Sequence, residues 1–459
     1  METTRRVDVR KFIDDQPIGT YQVAVALLIL LVIACDGMDV AAMAFVTPEI
    51  IKDWSVTRQS MGPALSAVFF GLAVGAFISG PIADKFGRKG VVACSVLLFG
   101  ALTAAAGLAS NVLELSVLRL LGGLGLGAAL PNAVTLISEF SPARRRSLIV
   151  TICYSGFTLG ATAVGLCSAW AVPALGWRHS LEAAGFIPIA IGVLMLISLP
   201  ESPVFLALRG GRSRQVHVSL ARLSGRRDLD ANATYFAPAK DIVTTGSAKA
   251  IVSREHLLTT VMLCLSYFAV SFVIYCLFNW MPVMAREAGF TLGRAAVITS
   301  VFTLSGPVGS MLLGAFMDRV RPAAVLAIAS LAAAAVLWTM ASTPSSFWAL
   351  CALSFAAGFF IHGSATGLNA VASRSYPAGA AATGVSFMQG VGKFGGISSG
   401  LAGGLMLGWG WNLSSILTAL AVPMLLSCVA MFLLDRGKRR AERTQSVVVP
   451  AQPIESVAH

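Results

Sequence analysis

Charged residues are scarce in this 459-residue chain: Asp, Glu, Lys and Arg make up 12% of it, whereas hydrophobic residues make up 56%. A typical soluble domain carries about 25% charged residues. The scarcity therefore excludes an ordinary soluble domain. Apolar runs of about 20 residues recur along the chain, and each is long enough to cross a bilayer as a helix. We expect an all-α integral membrane protein that crosses the bilayer many times.

Several chemical motifs are also lacking. The eight cysteines include no Cys-x-x-Cys pair, and nearly all of them lie in apolar segments. Neither a disulfide framework nor a metal site is therefore expected. The sequence contains no glycine-rich phosphate-binding loop and no His-Glu-x-x-His helix, which are motifs of nucleotide-dependent and zinc-dependent enzymes. We expect a protein that is not an enzyme and that needs no cofactor.

The net charge of +12 does not describe a nucleic-acid-binding surface. Lys and Arg occur in short segments between the apolar runs, without interleaved aromatic residues. This placement is typical of topology signals, which concentrate Lys and Arg on the cytoplasmic side of a membrane. It predicts a multi-pass protein of a cell inner membrane, with both termini and the middle of the chain in the cytoplasm.

The apolar runs predict twelve transmembrane helices, in two groups of six with a polar stretch between them. The predicted spans are residues 21–50, 61–83, 91–109, 112–138, 147–172, 181–199, 257–284, 295–317, 323–341, 346–371, 380–407 and 412–434. The implied organisation is an N-terminal cytoplasmic segment (1–20), a first six-helix bundle (21–200), a middle loop (201–256), a second six-helix bundle (257–435) and a cytoplasmic tail (436–459). The middle loop contains several Gly and Ser residues and is expected to be a linker without a core of its own.

The two groups of helices share an internal repeat. Gly80-x-x-x-Asp84-Lys85 follows the second predicted span, and Gly314-x-x-x-Asp318-Arg319 follows the eighth, at the corresponding place in its own group. Parallel repeats of this kind predict two pseudo-symmetric bundles that rock around a site near the bilayer midplane.

Two carboxylates, Asp36 and Asp39, interrupt the first apolar run. Ionised side chains at bilayer depth are costly and usually have a function. A spacing of three residues places both carboxylates on one face of a helix. The alternative, that they merely cap a shorter helix, would leave a span of 14 residues, which is short for a bilayer.

The segment Gly80-x-x-x-Asp84-Lys85-x-Gly87-Arg88-Lys89 resembles the loop signature of the major facilitator superfamily, and Gly314 to Arg319 resembles its second copy. The resemblance implies a gate. Gly80 would permit close helix approach, and Asp84 would pair with Arg88 or a basic neighbour in one conformation only. Asp318 and Arg319 would act likewise in the second bundle. Glu139, beside the arginines at 144–146, is a candidate for the gate or for simple pairing with those arginines.

Within that superfamily the chain looks like the aromatic acid:proton symporters. The motifs that carry this resemblance are Asp36-Gly-Met-Asp39, the glycine-rich run from Arg119 to Asn132, Pro200-Glu-Ser-Pro203, Asn279-Trp-Met-Pro282 and Ala382-Thr-Gly384. The resemblance implies proton-coupled uptake, by alternating access, of a benzoate, hydroxybenzoate or hydroxyphenylpropionate, by a chain that acts as a monomer. Two positions depart from the family pattern: Ala381 and Lys393 stand where the family usually has arginine. Lysine keeps the charge but loses the planar fork that suits a carboxylate.

The rise of a helix places Arg119 near the level of Asp39. We expect these two residues to pair in one state, and protonation of Asp39 or Asp36 to release the pair and couple a proton to the conformational change. A static structural pair is the alternative. Asp39 and Arg119 are also candidates for substrate binding.

Lys393 and His362 are both expected near the midplane. Lys393 would neutralise the substrate carboxylate, and His362 would bind a ring hydroxyl or relay a proton, unless it is a packing histidine. Further candidates for stacking or polar contacts are Tyr154, Asn279, Trp280 and Gln389, with Tyr267, Tyr275 and Asn369. Aromatic residues in membrane helices also serve in packing and at the membrane interface.

Three other functions stay open at this point. A nicotinate-like organic anion would suit the same charges. A proton-coupled drug antiporter usually has a Gly-Pro pair in its fifth span, whereas Gly160 is followed here by Ala161. A transporter that also acts as a chemosensor would need a signalling domain, and none is recognisable in the middle loop or the tail.

Overall fold

The structure is a computed structural model that describes residues 6–209, 213–224, 233–237, 251, 253, 256–377 and 380–448. The first half contains β1 (Arg6–Asp8), α1 (Val9–Asp15), α2 (Thr20–Asp53), α3 (Arg58–Phe86), α4 (Arg88–Ala106), α5 (Val112–Phe140) and α6 (Ala143–Ser198). The middle segment contains α7 (Pro203–Leu208), α8 (Ser213–Ser224) and β2 (Thr234–Phe236). The second half contains α9 (Leu257–Glu287), α10 (Leu292–Arg319), α11 (Pro322–Ser342), α12 (Phe347–Ser375), α13 (Ala381–Gly408) and α14 (Leu413–Val448).

The fold is an all-helical membrane fold. Within the described ranges, ten helices or parts of helices are long and apolar enough to cross a membrane: α2 to α6, α9 to α12 and the Leu413–Gly437 part of α14. Helices suit this environment because they satisfy every backbone hydrogen bond within one segment. Most helix bounds lie within a few residues of the predicted spans. α14 differs, because it stays helical to Val448, into the segment that the sequence predicts as a polar tail.

α6 joins two predicted spans into one element of 56 residues. The sequence predicts separate helices over 147–172 and 181–199, but the structure has no eight-residue loop between them. The helix is broken only at Gly176, where φ is 80° and ψ is 165°. Glycine adopts positive φ without a steric penalty, so one residue is enough to redirect the chain. Before Gly176 the chain runs parallel to α2, and after it the chain runs antiparallel to α4.

The same three helix pairings occur in both halves. α2 packs on the first part of α6, α3 on α5, and α4 on the second part of α6. In the second half α9 packs on α13, α10 on α12, and α11 on α14. Small residues permit close approach at these contacts. A Cβ at Gly75 of α3 would overlap the backbone of α5 at Leu124, and a Cβ at Gly309 of α10 would overlap the backbone of α12 at Phe359.

The described parts of the middle segment, α7, α8 and β2, pack against the first half. Side chains from α7, α8 and β2, among them Phe205, Leu220 and Tyr235, are buried in the hydrophobic core of the first half. β2 also pairs in parallel with β1. The apolar side chains of these elements join the adjacent core because their burial from water is favourable.

Candidate functional site

Asp39 lies in α2 and forms an ion pair with Arg119 of α5. Arg119 Nη1 donates to Asp39 Oδ2 at 3.0 Å, and Nη2 donates to the Asp39 carbonyl oxygen at 3.4 Å. Thr103 of α4 donates its hydroxyl hydrogen to the other carboxylate oxygen. The side chains of Asp39 and Arg119 are 1% and 3% exposed, so water does not screen the pair. The sequence did not single out Thr103, whose only signal was a hydroxyl within an apolar span.

Asp36 precedes Asp39 by less than one turn but has different surroundings. It is buried, and its Oδ1 atom has no hydrogen-bond partner in the described part of the chain. It interacts electrostatically with Lys393 of α13, which belongs to the other half. The two carboxylates therefore have separate partners: Asp39 is neutralised within the first half, whereas Asp36 faces a cation across the interface.

Lys393 is half-buried and has no carboxylate within 4 Å among the residues that the structure describes. Its electrostatic partner is Asp36, while Arg119 is occupied by Asp39. Of the two cations that the sequence assigns to the substrate site, only Lys393 is without a close ion pair. It is therefore the cation that remains for an anionic ligand between the halves.

Three tyrosines surround the same region. Tyr154 of α6 is half-exposed and interacts with Tyr267 of α9 and with Asp36. Tyr275 of α9 interacts with Asp36 as well, and its ring lies 4.4 Å from that of Phe69, between ring centroids. The rings of Tyr267 and Tyr275 pack against Gly392 and Gly396, which flank Lys393 along α13. Aromatic rings from both halves thus lie around one lysine.

A chain of polar side chains lies one helical turn from Lys393. Gln389 of α13 donates from Nε2 to Asn369 Oδ1 of α12 at 3.0 Å, and Asn369 also forms a hydrogen bond with Tyr267. Asn369 Nδ2 donates to the Ala365 carbonyl oxygen at 3.1 Å. Gln389 is exposed, so this chain offers polar groups within one turn of Lys393.

His362 has the geometry of a packing histidine. Its Nδ1 atom donates to the Gly358 carbonyl oxygen at 3.1 Å, because a carbonyl can only accept. Its ring centroid lies 4.9 Å from that of Phe302, and the ring also contacts Gly306. The structure therefore favours the packing alternative over the expected contact with a ring hydroxyl.

Trp280 and Asn279, expected as substrate contacts, are buried in α9. Trp280 is fully buried, packs against Gly403, and donates from Nε1 to the Gly400 carbonyl oxygen at 3.2 Å. It joins α9 to α13 and does not face open space in this conformation, because the glycines of α13 leave room for its indole. Asn279 Nδ2 has no hydrogen-bond partner within the described ranges.

The two ends of the bundle differ in how the halves meet. At one end, which we call the open side, the charged residues pair within their own half. Arg88 Nη1 contacts Asp84 at 2.8 Å and Arg88 Nε contacts Glu139 at 3.6 Å. In the second half Asp318 pairs with Arg374 at 3.1 Å. Arg319 takes no part in an ion pair within the described ranges.

Gly80, also at the open side, makes no close helix contact in this conformation. It is exposed, and nothing in the described part of the chain lies within 4 Å of the position of a Cβ there. The close contacts of α3 occur earlier in the helix, at Gly71 and Gly75, because that is where α3 crosses α5.

At the other end, which we call the closed side, ion pairs join the two halves. Arg58 of α3 pairs with Glu287 of α9, and Glu49 of α2 pairs with Arg286 of α9 at 3.2 Å. Hydrogen bonds between Ser66 and the Ile397 carbonyl, at 2.8 Å, and between Thr162 and Thr303, at 3.0 Å, also cross the interface. The sequence did not single out these ion pairs. The sequence feature that could have indicated them is the presence of oppositely charged residues near the ends of predicted spans in different halves.

The sequence matches the profile of the Major Facilitator Superfamily over residues 29–246 and 263–457. It is 38% identical to the 4-hydroxybenzoate transporter PcaK of Pseudomonas putida, over 93% of this chain and 95% of that protein. It is 39% identical to the gallate transporter of Pseudomonas putida, over 97% and 98% of the two chains. The fold resembles the crystal structure of a D-xylose-proton symporter, with a TM-score of 0.69, 15% identity, and coverage of 90% of this chain and 97% of that one.

Proposed function

This chain belongs to the Major Facilitator Superfamily, and we propose that it imports a small aromatic carboxylate together with a proton. It is a membrane transporter and not an enzyme. The proposed substrates are benzoate, hydroxybenzoates, gallate and hydroxyphenylpropionates, because relatives that align over nearly the whole chain are named for such compounds. We place the protein in the inner membrane as a monomer with cytoplasmic termini.

Twelve spans are part of the proposal. The ten membrane-crossing elements become eleven if α6 crosses twice, with Gly176 at the turn, and α13 supplies the twelfth. The open side then faces the cytoplasm, in agreement with the Lys and Arg of the neighbouring segments. In this proposal the structure represents the inward-open stage of an alternating-access cycle.

The observation that carries the function is the different state of the two buried carboxylates. Asp39 is neutralised by Arg119 at 3.0 Å. Asp36 interacts instead with Lys393, the cation that is also available to a ligand between the halves. An ionised Asp36 and a substrate carboxylate would therefore compete for one lysine. Protonation of Asp36 leaves Lys393 to the substrate.

Because the site is most stable without a net charge, this competition couples binding of the anion to protonation of Asp36. Without substrate, ionised Asp36 balances Lys393. With substrate, the ligand's carboxylate balances Lys393 and Asp36 is protonated. Both states carry no net charge into the membrane, whereas binding of the anion without the proton would leave an excess negative charge at high cost. Anion and proton therefore move together, with the ring held between Tyr154 and Tyr275.

Uptake into proteoliposomes tests the proposal. Labelled 4-hydroxybenzoate, gallate, benzoate and nicotinate would be offered under an inward proton gradient, with and without a protonophore. We expect accumulation of at least one hydroxylated benzoate that the protonophore abolishes. Failure of every aromatic acid to accumulate would reject the substrate class, and accumulation that is insensitive to the protonophore would reject proton coupling.

A further inference from the structure

A cavity of about 610 Å³ lies on the closed side, between the two halves. Glu49 of α2 and Val172 of α6 line it from the first half, and Arg286, Leu292 and Gly293 line it from the second. Its volume lies within the range of small-molecule sites. Arg286 is about 16 Å beyond Tyr275 along α9, at the rise of a helix, so this cavity is separate from the region around Lys393.

The walls of the cavity combine polar groups, from Glu49, Arg286 and Thr291, with an apolar part. Ala169, Val172, Pro173 and Leu292 supply the apolar surface. Arg286 Nη2 contacts Glu49 Oε1 at 3.2 Å, and the two side chains are 36% and 27% exposed. A guanidinium has five N–H donors, so this contact leaves donors that a planar carboxylate can engage in two parallel hydrogen bonds.

We propose that this cavity is a second, outer binding site for a small aromatic carboxylate, in which the ligand's carboxylate replaces Glu49 on Arg286. The class of ligand rests on the proposed function. The apolar walls receive the ring and Arg286 receives the charge. Among the described residues two ion pairs join the halves on this side, and binding removes one of them. Arrival of the ligand therefore weakens the contact between the halves that separates it from the central site.

The neighbouring ion pair supplies an internal control. Arg58 and Glu287 also join the halves on the closed side, but neither residue lines the cavity. Glu49→Gln and Glu287→Gln each remove one ion pair between the halves. Only Glu49→Gln removes the group that competes with a ligand for Arg286.

The experiment is calorimetric titration of the full-length protein in nanodiscs with sodium benzoate, and with benzamide as the uncharged probe. A Lys393→Gln background removes the central cation. We expect Glu49→Gln to increase benzoate affinity about tenfold, Glu287→Gln to leave it unchanged, and Arg286→Gln to abolish binding. Benzamide binding should not respond to Glu49→Gln. Equal benzoate affinities in the Glu49→Gln and Glu287→Gln variants would overturn the outer site.

A second variant fills the cavity. A Cβ added at Gly293 would lie 3.8 Å from the Cβ of Ala169, its nearest neighbour, and so fits without a clash. Because Gly293 lines the cavity, Gly293→Leu should occupy part of its volume. Added to Glu49→Gln, it should abolish the gain in affinity while the melting temperature is unchanged. Persistence of tight benzoate binding would overturn the proposal.

The outcomes separate this site from the transport function. If no aromatic acid accumulates in proteoliposomes, yet Glu49→Gln strengthens benzoate binding through Arg286, the transport proposal fails and the outer site stands. If uptake occurs but Glu49→Gln and Glu287→Gln behave alike, the outer site alone fails.

Discussion

Arg119 donates a hydrogen bond to Asp39 at 3.0 Å in a place where neither side chain is more than 3% exposed. A buried pair of this kind is strongly destabilised by loss of one partner, because the other charge is then left unpaired in a medium of low polarity. Loss of both partners leaves no such charge. The pair thus holds α2 to α5 whether or not it also takes part in transport.

The first prediction concerns stability. Asp39→Asn and Arg119→Gln should each reduce the free energy of unfolding by about 3–5 kcal/mol, and the double variant should lose less than the sum. Thermal unfolding of the purified variants measures this. The matched control is Asp318→Asn, which breaks a pair whose side chains are 68% and 59% exposed and should change stability by less than about 1 kcal/mol. Additive losses at Asp39 and Arg119 would contradict the prediction.

The second prediction concerns coupling at Asp36. Asp36→Asn should abolish proton-driven accumulation, since the site can no longer exchange a proton for an anion. Exchange of internal for external substrate should persist, because Lys393 stays available to the carboxylate. Counterflow and gradient-driven uptake in the same proteoliposomes distinguish these activities. Normal accumulation by the variant would show that Asp36 does not carry the proton.

The third prediction concerns the cation. Lys393→Gln should raise the KM for an aromatic carboxylate roughly tenfold to a hundredfold, the equivalent of about 1.5–3 kcal/mol for a hydrogen bond to a charged group. Lys393→Arg should retain uptake because it retains the charge. Initial uptake rates over a range of concentrations measure both. An unchanged KM in Lys393→Gln would mean that the carboxylate binds elsewhere.

The fourth prediction compares two glycines. A Cβ at Gly37 of α2 would overlap the backbone of Phe157 in α6, so Gly37→Ala should cost about 1–3 kcal/mol of stability by overpacking. Gly80→Ala, in contrast, meets open space. It should be neutral, or stabilising by up to about 1 kcal/mol through helix propensity. Melting temperatures of the two variants test this, and a larger loss at Gly80 than at Gly37 would contradict the prediction.

The sequence predicts those parts of the molecule that depend on one helix at a time. Apolar length gives the helices, and the rise per residue places Asp39 level with Arg119. Contacts between helices depend also on how each helix is rotated and on which side of the bundle is closed. Thr103 beside Asp39, the burial of Trp280 against α13 and the open space at Gly80 are all of this second kind. The ion pair of Glu49 with Arg286 depends on conformation as well, because it joins the halves.

The short parallel pairing of β1 with β2 limits the number of times that the chain between the two strands can cross the bilayer. Backbone hydrogen bonds between Arg6–Asp8 and Thr234–Phe236 require both strands to lie on the same side of the bilayer. The chain between them must therefore cross the bilayer an even number of times. With one crossing each for α2 to α5, α6 must contribute zero or two, and its 56 residues and its break at Gly176 suit two. Six residues of paired backbone thus argue against a single crossing by α6, in agreement with the two spans proposed for it.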